Sequence, residues 1–224
     1  LVGKNVNIDY LKISNKPTGH AIIEVDQSGQ NHILLYGGTN KEIDFEYIDE
    51  VLSHFSTGDV VVLQNEINNV PYIIDRCYEK EMKIFFNAAP YDESIQNYPI
   101  EKVTWLVVNE TESAALSGEE NYEKMLQVLK QKYPHTNILF TMGKDGSRVL
   151  TNNEDVKVEA MKVNAIDTTG AGDTLNGAFS VKIANGADIK TALTFANTAA
   201  SLSTEKFGAQ TGMPTVSEVE KELQ

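Results

Sequence analysis

The sequence predicts an α/β fold: a doubly wound, mostly parallel sheet with helices on both faces, together with a small β hairpin. Short runs that are apolar at every position, such as 60–63 and 105–108, alternate along the chain with stretches whose apolar residues recur at helical spacing. Strands that are apolar on both faces belong in a parallel sheet covered by helices on each side, and parallel neighbours need crossovers of this length.

The predicted hairpin is the first element in order. Two apolar stretches, 21–25 and 32–36, flank the turn-forming residues 26–30. The helical stripe that comes next leads into the buried strand at 60–63, and its apolar residues are Phe45, Ile48, Leu52 and Phe55.

The alternation of helix and strand continues to the end of the chain. The predicted elements are a helix from about Asn69 to Glu81, a strand at 84–86, a short helical stretch after Ala89, the strand at 105–108, a helix containing Tyr122, Met125, Leu126 and Leu129, a strand at 138–141, a hairpin of 147–150 with 156–160, and helices of about 171–185 and 188–204. With no repeat or linker in between, residues 1–224 are predicted to form one domain.

Bulk composition argues against two classes of partner. With 19 Lys and Arg against 32 Asp and Glu, the formal net charge of −13 repels a nucleic-acid backbone. No apolar run approaches the roughly 18 residues of a membrane span. The single cysteine, Cys77, falls in a predicted amphipathic helix and is expected to be a buried structural thiol, so we expect a reducing, cytoplasmic setting.

The strongest chemical signal is Asp-Thr-Thr-Gly-Ala-Gly-Asp-Thr-Leu-Asn-Gly-Ala at 167–178, a glycine-rich turn that runs directly into a helix. Small residues at Gly170, Ala171 and Gly172 let the backbone approach a phosphate, and the N–H groups of a helix start carry partial positive charge. Asp173 falls in the first helical turn, beside this candidate anion hole, as a candidate general base. Taken alone, the string also fits an ordinary capped helix behind a tight turn.

The whole dodecapeptide resembles the C-terminal signature of the ribokinase-like family of carbohydrate kinases. Further segments occur in that family's order: Pro17-Thr18-Gly19, Gly37-Gly38-Thr39-Asn40, Asn87-Ala88-Ala89-Pro90, Asn109-Glu110-Thr111-Glu112 and 141–146. The resemblance spans essentially the entire chain. It implies ATP-dependent phosphorylation of a sugar, in which Asp173 takes the hydroxyl proton and Gly170, Ala171 and Gly172 stabilise the transferring phosphoryl group.

The same resemblance implies roles for residues that bind nucleotide, Mg²⁺ and sugar. Asn109 and Glu112 match a pattern that organises phosphate and Mg²⁺, although their residue types alone favour helix capping. Asn197 matches a position near adenine, with a polar helix-face residue as the alternative. Glu66 matches a sugar-contacting acid, with a solvated strand end as the alternative. The implied nucleotide loop consists of Thr141, Met142, Gly143, Lys144, Asp145 and Gly146.

The family often binds a monovalent cation, commonly K⁺, beside the anion hole. The corresponding positions here are Asp167, Thr169, Ser203, Lys206, Gly208 and Gly212. Several of them are expected to contribute only backbone carbonyl groups. The alternative is a polar helix end that is capped at Gly208.

The sequence also departs from the family pattern. Family members open with a βαβ segment whose Gly-Gly-x-x-x-Asn element grips the sugar, and we expect that segment to be absent ahead of Leu1, so that the domain is N-terminally incomplete. Ala88 and Leu175 replace the proline and phenylalanine of many relatives, which are tolerable changes.

Overall closeness to the family favours D-ribose as the sugar. Two alternatives stay open: another sugar kinase of the family, such as a fructokinase or deoxyribokinase, and an ATP-binding module without turnover. Residues 17–37 are a candidate lid over the sugar and a possible surface for a homodimer, with an ordinary exposed hairpin as the alternative.

Overall fold

The computed structural model describes residues 6–25 and 31–224. An antiparallel hairpin comes first, formed by β1 (His20–Val25) and β2 (Asn31–Tyr36), with Ile22 opposite Leu34. The two strands form a sheet of their own. The predicted hairpin is therefore confirmed, while its predicted turn at 26–30 lies outside the described residues.

The main sheet has six strands whose spatial order is their order along the chain. The first four strands are parallel to one another, and the last two are antiparallel to their neighbours. This arrangement confirms the predicted mostly parallel sheet. The strands are β3 (Val60–Gln64), β4 (Lys83–Asn87), β5 (Trp105–Val108), β6 (Asn137–Thr141), β7 (Ser147–Leu150) and β8 (Asp155–Val158).

Helices cover both faces of this sheet, as predicted. One face carries α1 (Phe45–Leu52), α2 (Val70–Glu79), α3 (Glu110–Ser117) and α4 (Tyr122–Lys132). The other face carries α5 (Ala171–Ala184) and α6 (Ile189–Ser203), and α7 (Val216–Glu222) packs on α6.

Alternation along β4 shows how the strands serve two cores. Ile84 and Phe86 are fully buried against the α1–α4 face, whereas Phe85 is fully buried against α5 and α6. Phe85 stacks on Trp105 at 5.8 Å, and Trp105 meets Phe179 of α5 edge to face at 5.0 Å. Because β4, β5 and β6 are covered on both faces, they need apolar residues at successive positions, which explains their continuous apolar runs.

Three local features differ from the sequence expectation. Helix α1 ends at Leu52, and Phe55 packs against the core beyond its end. The helical stretch after Ala89 is two short 3-10 segments, Glu93–Asn97 and Ile100–Lys102, with Pro99 capping the second. Helix α7 was not predicted, and α3 was anticipated only through the capping alternative for Asn109 and Glu112. Both begin with a capping box rather than a long apolar stripe.

Two further expectations concern Cys77 and membranes. Cys77 is fully buried in α2, and burial raises the pKa of its thiol to about 11, which keeps it protonated and inert. Across residues 6–25 and 31–224, none of the helices has the length and apolar character needed to cross a membrane.

Candidate active site

The carboxyl ends of the four parallel strands meet at one edge of the sheet. Gln64 at the end of β3 is the register partner of Asn87 at the end of β4. Asn87 pairs in turn with Val107, and Val108 pairs with Phe140 near the end of β6. Ligands of open α/β sheets bind at this kind of edge, so it is the candidate site.

A buried asparagine fixes the end of β3 at this edge. The side-chain amide of Asn65 donates hydrogen bonds to the Pro90 carbonyl (2.9 Å) and to Asp92 Oδ2 (2.7 Å). Its Oδ1 accepts a hydrogen bond from the Tyr98 hydroxyl at 2.8 Å. With its polar groups engaged inside the protein, Asn65 holds the residues on either side of it in place.

The glycine-rich turn starts α5 in the manner expected of an anion-binding helix. Gly170 is the N-cap with a φ of 79°, and a Cβ there would lie 3.0 Å from Cβ of Ala209, so only glycine fits without a shift. Ala171, Gly172 and Asp173 are the first three helical residues, whose N–H groups have no partner within the helix. Gly172 is exposed, and a Cβ on it would meet no atom within 4 Å, which leaves the backbone accessible.

Asp173 faces the end of β3 across a cleft of about 350 Å³. The cleft is also lined by Gln64, Glu66 and Asn176, so the structure brings together the two acids that the sequence singled out for the sugar. Both acids are exposed, whereas Asn176 is buried. The volume lies within the range of small-molecule pockets.

Gln64 is the residue of this cleft that the sequence reasoning missed. Its Nε2 donates a hydrogen bond to Oδ1 of Asp173 at 2.7 Å. The available signal was a polar side chain that closes an all-apolar run, two residues before Glu66, which the family resemblance identified.

The predicted nucleotide loop connects β6 to β7. Met142 is buried, and its N–H donates to the Gly146 carbonyl at 2.8 Å, which closes the loop on itself. Gly143, Lys144 and Asp145 form one exposed 3-10 turn, and Thr141 is half-buried at the end of β6. The loop therefore presents polar side chains and backbone at the expected edge, while nucleotide contact stays a prediction.

Asn109 and Glu112 form a capping box at the start of α3. The Glu112 N–H donates to Asn109 Oδ1 (3.0 Å), and the Asn109 N–H donates to Glu112 Oε2 (2.7 Å). Glu112 is only 6% exposed, and this burial raises the pKa of its carboxyl group. The capping alternative is thus confirmed, whereas the phosphate and Mg²⁺ contacts of these residues stay predictions.

Asn197 is buried in α6, where it joins the helix to two strands. Its Oδ1 accepts a hydrogen bond from the Ser147 hydroxyl (2.8 Å), and its Nδ2 donates to the Val158 carbonyl (2.9 Å). The residue is 3% exposed. It ties β7 and β8 to α6, and its predicted contact with adenine stays a prediction.

The predicted cation positions come together around Gly212. A Cβ on Gly212 would lie 2.5 Å from the carbonyl oxygen of Ser203, 3.0 Å from that of Gly208 and 3.3 Å from that of Lys206. Three backbone oxygens therefore converge on one small space that a side chain would fill, and we call them the carbonyl cluster. Lys206 contributes only its backbone, since its ammonium group lies 3.5 Å from Glu218.

Asp167 holds this region to the turn before α5. Its Oδ1 accepts a hydrogen bond from the Thr169 N–H, and its Oδ2 accepts one from the Gly208 N–H, both at 2.9 Å. Hydrogen bonds from the Thr169 side chain and from these backbone groups lower the pKa of Asp167, which stays ionised at neutral pH.

An α/β sheet whose strand ends face an aspartate at a glycine-rich helix start provides the parts that a phosphotransferase needs. Comparison with known families agrees, because the model of the "pfkB family carbohydrate kinase" matches residues 1–216. The chain belongs to this family of carbohydrate kinases.

Several individual relatives of the chain are ribokinases. The ribokinase of Bacillus subtilis is 36% identical over 226 residues, an alignment that covers all of this chain and 75% of the relative. Among solved structures, ribokinase from Thermotoga maritima has a TM-score of 0.78 and 34% identity, covering 94% of this chain and 71% of that one. Ribokinase from Arabidopsis thaliana, solved in complex with ribose and ATP, has a TM-score of 0.82 and 29% identity, covering 94% and 70%.

Proposed function

We propose that this chain is an ATP-dependent ribokinase that transfers the γ-phosphoryl group of ATP to the primary hydroxyl of D-ribose. The observation that carries the proposal is the position of Asp173, third residue of α5, beside the N–H groups of the helix start and open to the 350 Å³ cleft. The choice of ribose is supported by similarity to ribokinases, one of them solved with ribose and ATP.

In the proposed reaction, Asp173 acts as the general base. As the sugar oxygen forms its bond to the γ-phosphorus, the bond from that phosphorus to the bridging oxygen breaks and ADP leaves. The hydroxyl proton passes to the Asp173 carboxylate. The N–H groups at Gly170, Ala171 and Gly172 stabilise the negative charge on the transferring phosphoryl oxygens, since they are fixed before the reaction begins.

The nucleotide is proposed to lie along the loop at 141–146, with further contacts from Asn109 and Asn197. Mg²⁺ supplies charge neutralisation on the phosphate oxygens when bound. Within the part of the chain that the structure describes, no three His, Cys, Asp or Glu side chains gather in a metal-binding group. The phosphates are therefore expected to provide most ligands of the ion, with Glu112 as the candidate protein ligand through the oxygen that its cap leaves unused.

A K⁺ ion is proposed to bind at the carbonyl cluster. Carbonyl oxygens are suitable ligands for a hard cation, and those of Ser203, Gly208 and Lys206 lie within 3.3 Å of one point. Asp167 belongs to the same site because it accepts hydrogen bonds from the N–H groups of Thr169 and Gly208, and Thr169 belongs to it through Asp167. In this arrangement the ion supports the phosphate-binding turn without touching the nucleotide.

The β1–β2 hairpin is proposed to act as a lid over the sugar and to pair with the hairpin of a second copy. Ile22 (54% exposed) and Leu34 (63%) share one face, and Leu35 (64%) lies on the other. An isolated two-stranded hairpin is marginally stable, and a second copy would cover these apolar side chains. A Leu34→Lys variant is expected to shift the chain from dimer to monomer in light scattering.

We propose a cytoplasmic location on the basis of the unpaired thiol of Cys77.

The experiment that tests the proposed function is a sugar panel. ATP-dependent formation of sugar phosphate is measured with D-ribose, 2-deoxy-D-ribose and D-fructose in the presence of Mg²⁺ and K⁺, and ATP binding is measured by calorimetry. We expect kcat/KM to be highest for D-ribose. A preference for another sugar would assign a different kinase of the family, and ATP binding without turnover of any sugar would leave only a nucleotide-binding module.

A further inference from the structure

Within residues 6–25 and 31–224, three α-helices carry an acidic residue at the third helical position, and one of them behaves differently. In α3 and α7 that residue, Glu112 or Glu218, folds back and accepts a hydrogen bond from the N-cap N–H. At α5 the corresponding residue is Asp173, and the N-cap Gly170 has no side-chain cap. Among the described residues, the hydrogen-bond partner of the Asp173 carboxylate is instead Gln64, through Oδ1 at 2.7 Å.

The difference matters because an acid at this position commonly accepts the hydrogen bond of the N-cap N–H. In the proposed reaction the N–H groups of Gly170, Ala171 and Gly172 stabilise the transferring phosphoryl group. With Oδ1 held by Gln64, the Gly170 N–H is not capped by Asp173, whereas the Ala171 N–H donates to the Thr168 carbonyl at 3.2 Å. The contact also fixes the plane of the carboxylate, while Oδ2 has no partner in the described part of the chain.

Gln64 is suited to this task because its own backbone is fixed. It is the last residue of β3, paired with Asn87 of β4. The next residue, Asn65, is buried and makes side-chain hydrogen bonds to Pro90, Asp92 and Tyr98. A donor on a rigid strand end, supported in this way, can hold a reacting group within a narrow range of orientations.

We propose that Gln64 is a positioning residue of the phosphoryl transfer: its amide draws the Asp173 carboxylate off the start of α5, keeps the Gly170 N–H free for the phosphoryl oxygens, and turns Oδ2 toward the sugar hydroxyl. This role rests on the proposed function. It concerns orientation, so its loss lowers kcat and leaves nucleotide binding unchanged.

The kinetic test uses two substitutions of Gln64 and a matched control. Gln64→Leu removes the donor, and Gln64→Glu keeps the shape but turns a carboxylate toward Asp173. Both are expected to lower kcat on the order of tenfold or more, as expected for loss of a hydrogen bond to a charged group, with KM for ATP within about twofold of wild type. Gln127→Leu, at an exposed position of α4, is the control and should match wild type. If Gln64 served only to fill space, the isosteric glutamate would retain activity.

A second readout does not depend on turnover. The side-chain amide protons of Gln64, assigned by their loss in Gln64→Leu, are followed by ¹⁵N-edited NMR in wild type and in Asp173→Asn. We expect them to resonate apart from those of exposed Gln127 and to move when Asp173 is changed. If the Gln64 amide protons have the chemical shifts of the exposed Gln127 amide and do not move in Asp173→Asn, the contact is overturned. Unchanged kcat in both Gln64 variants overturns the positioning role. If the wild-type chain phosphorylates no sugar, the proposed function is overturned, and the positioning role of Gln64 is overturned as well.

Discussion

The Asp167 carboxylate accepts a hydrogen bond from the backbone N–H of Gly208 at 2.9 Å, which joins the turn before α5 to the segment after α6. The carbonyl group of the same Gly208 belongs to the carbonyl cluster at Gly212. Asp167 also accepts a hydrogen bond from Thr169, one residue before the N-cap of α5. The candidate cation site and the turn before α5 are therefore joined by hydrogen bonds, and a change in one is expected to alter the other.

Substitution of Gly212 tests the proposed cation site. In Gly212→Ala the new methyl group would lie 2.5 Å from the Ser203 carbonyl oxygen and would occupy the space on which the three carbonyl groups converge. We expect the K⁺ concentration for half-maximal activation to rise at least about tenfold, the factor that 1.4 kcal/mol of lost binding produces. The measurement is kcat as a function of K⁺ concentration at constant ionic strength.

A control is needed because any change at a tight glycine also lowers stability. Gly58→Ala introduces the strain of an alanine at a φ of 87°, two residues before β3 and with no atom within 4 Å of the new Cβ. It should reduce stability and leave the response to K⁺ unchanged. An unaltered response in Gly212→Ala would argue against a cation at this position.

The buried carboxyl group of Glu112 predicts an unusual pH dependence of stability. Burial raises its pKa in the folded state above the unfolded value of about 4.3. Its contribution to stability is therefore complete below the unfolded pKa and declines as the pH rises through the folded pKa. Glutamine retains a cap acceptor and does not ionise, so Glu112→Gln should be at least as stable as wild type at neutral pH.

Glu218 provides the matched control, since it occupies the same position in the capping box of α7. Hydrogen bonds from Thr215 and the nearby Lys206 lower the pKa of this exposed carboxylate, so its stabilisation is present above the unfolded pKa and is lost as the pH falls. Glu218→Gln should therefore reduce stability at neutral pH. Urea denaturation between pH 4 and pH 8 measures both variants. Effects of the same sign at neutral pH would contradict this account.

Asn197 is predicted to stabilise the junction between α6 and the end of the sheet. Replacing it by alanine leaves the Ser147 hydroxyl and the Val158 carbonyl without their partner inside the protein. We expect the free energy of unfolding to fall by roughly 2 kcal/mol or more, with Lys190→Ala on the exposed side of the same helix as a neutral control. Urea denaturation tests this, and a loss below 0.5 kcal/mol, the usual range of surface changes, would refute it. KM for ATP measured on the folded variant reports separately on an adenine contact.

Elements that pack through continuous apolar runs were predictable from the sequence, and elements held by polar termini were not. Strands β4 to β6 are buried on both faces, so their sequences carry a clear pattern, whereas β3 has the same apolar run with Val62 48% exposed. Helix α7 has one fully buried residue, Val219, and its start depends on the capping box of Thr215 with Glu218. A capping box in a short polar segment predicts a helix only weakly, because such a helix is stabilised mainly by its tertiary contacts.

The features of the candidate site also divide into those that the sequence predicts and those that it does not. Asp173 and the glycines before it are contiguous, so the turn and the helix start were visible as one motif. The contact between Gln64 and Asp173 joins residues 109 positions apart, and the carbonyl cluster at Gly212 is made of backbone atoms. The contact between Gln64 and Asp173 exists only once the sheet and α5 have packed together. The positions of the carbonyl cluster followed from the family resemblance and not from side-chain type, because the cluster is formed by backbone oxygens.

The most direct test of the central claim is the rate of ATP-dependent D-ribose phosphorylation by Asp173→Asn beside wild type, with ATP affinity measured calorimetrically on both. Asparagine is nearly isosteric but is a far weaker base. We expect kcat to fall by about 10²-fold or more, the usual contribution of a positioned base, while ATP affinity stays within about twofold. Turnover of D-ribose by Asp173→Asn at the wild-type rate would contradict the assignment of Asp173 as the base.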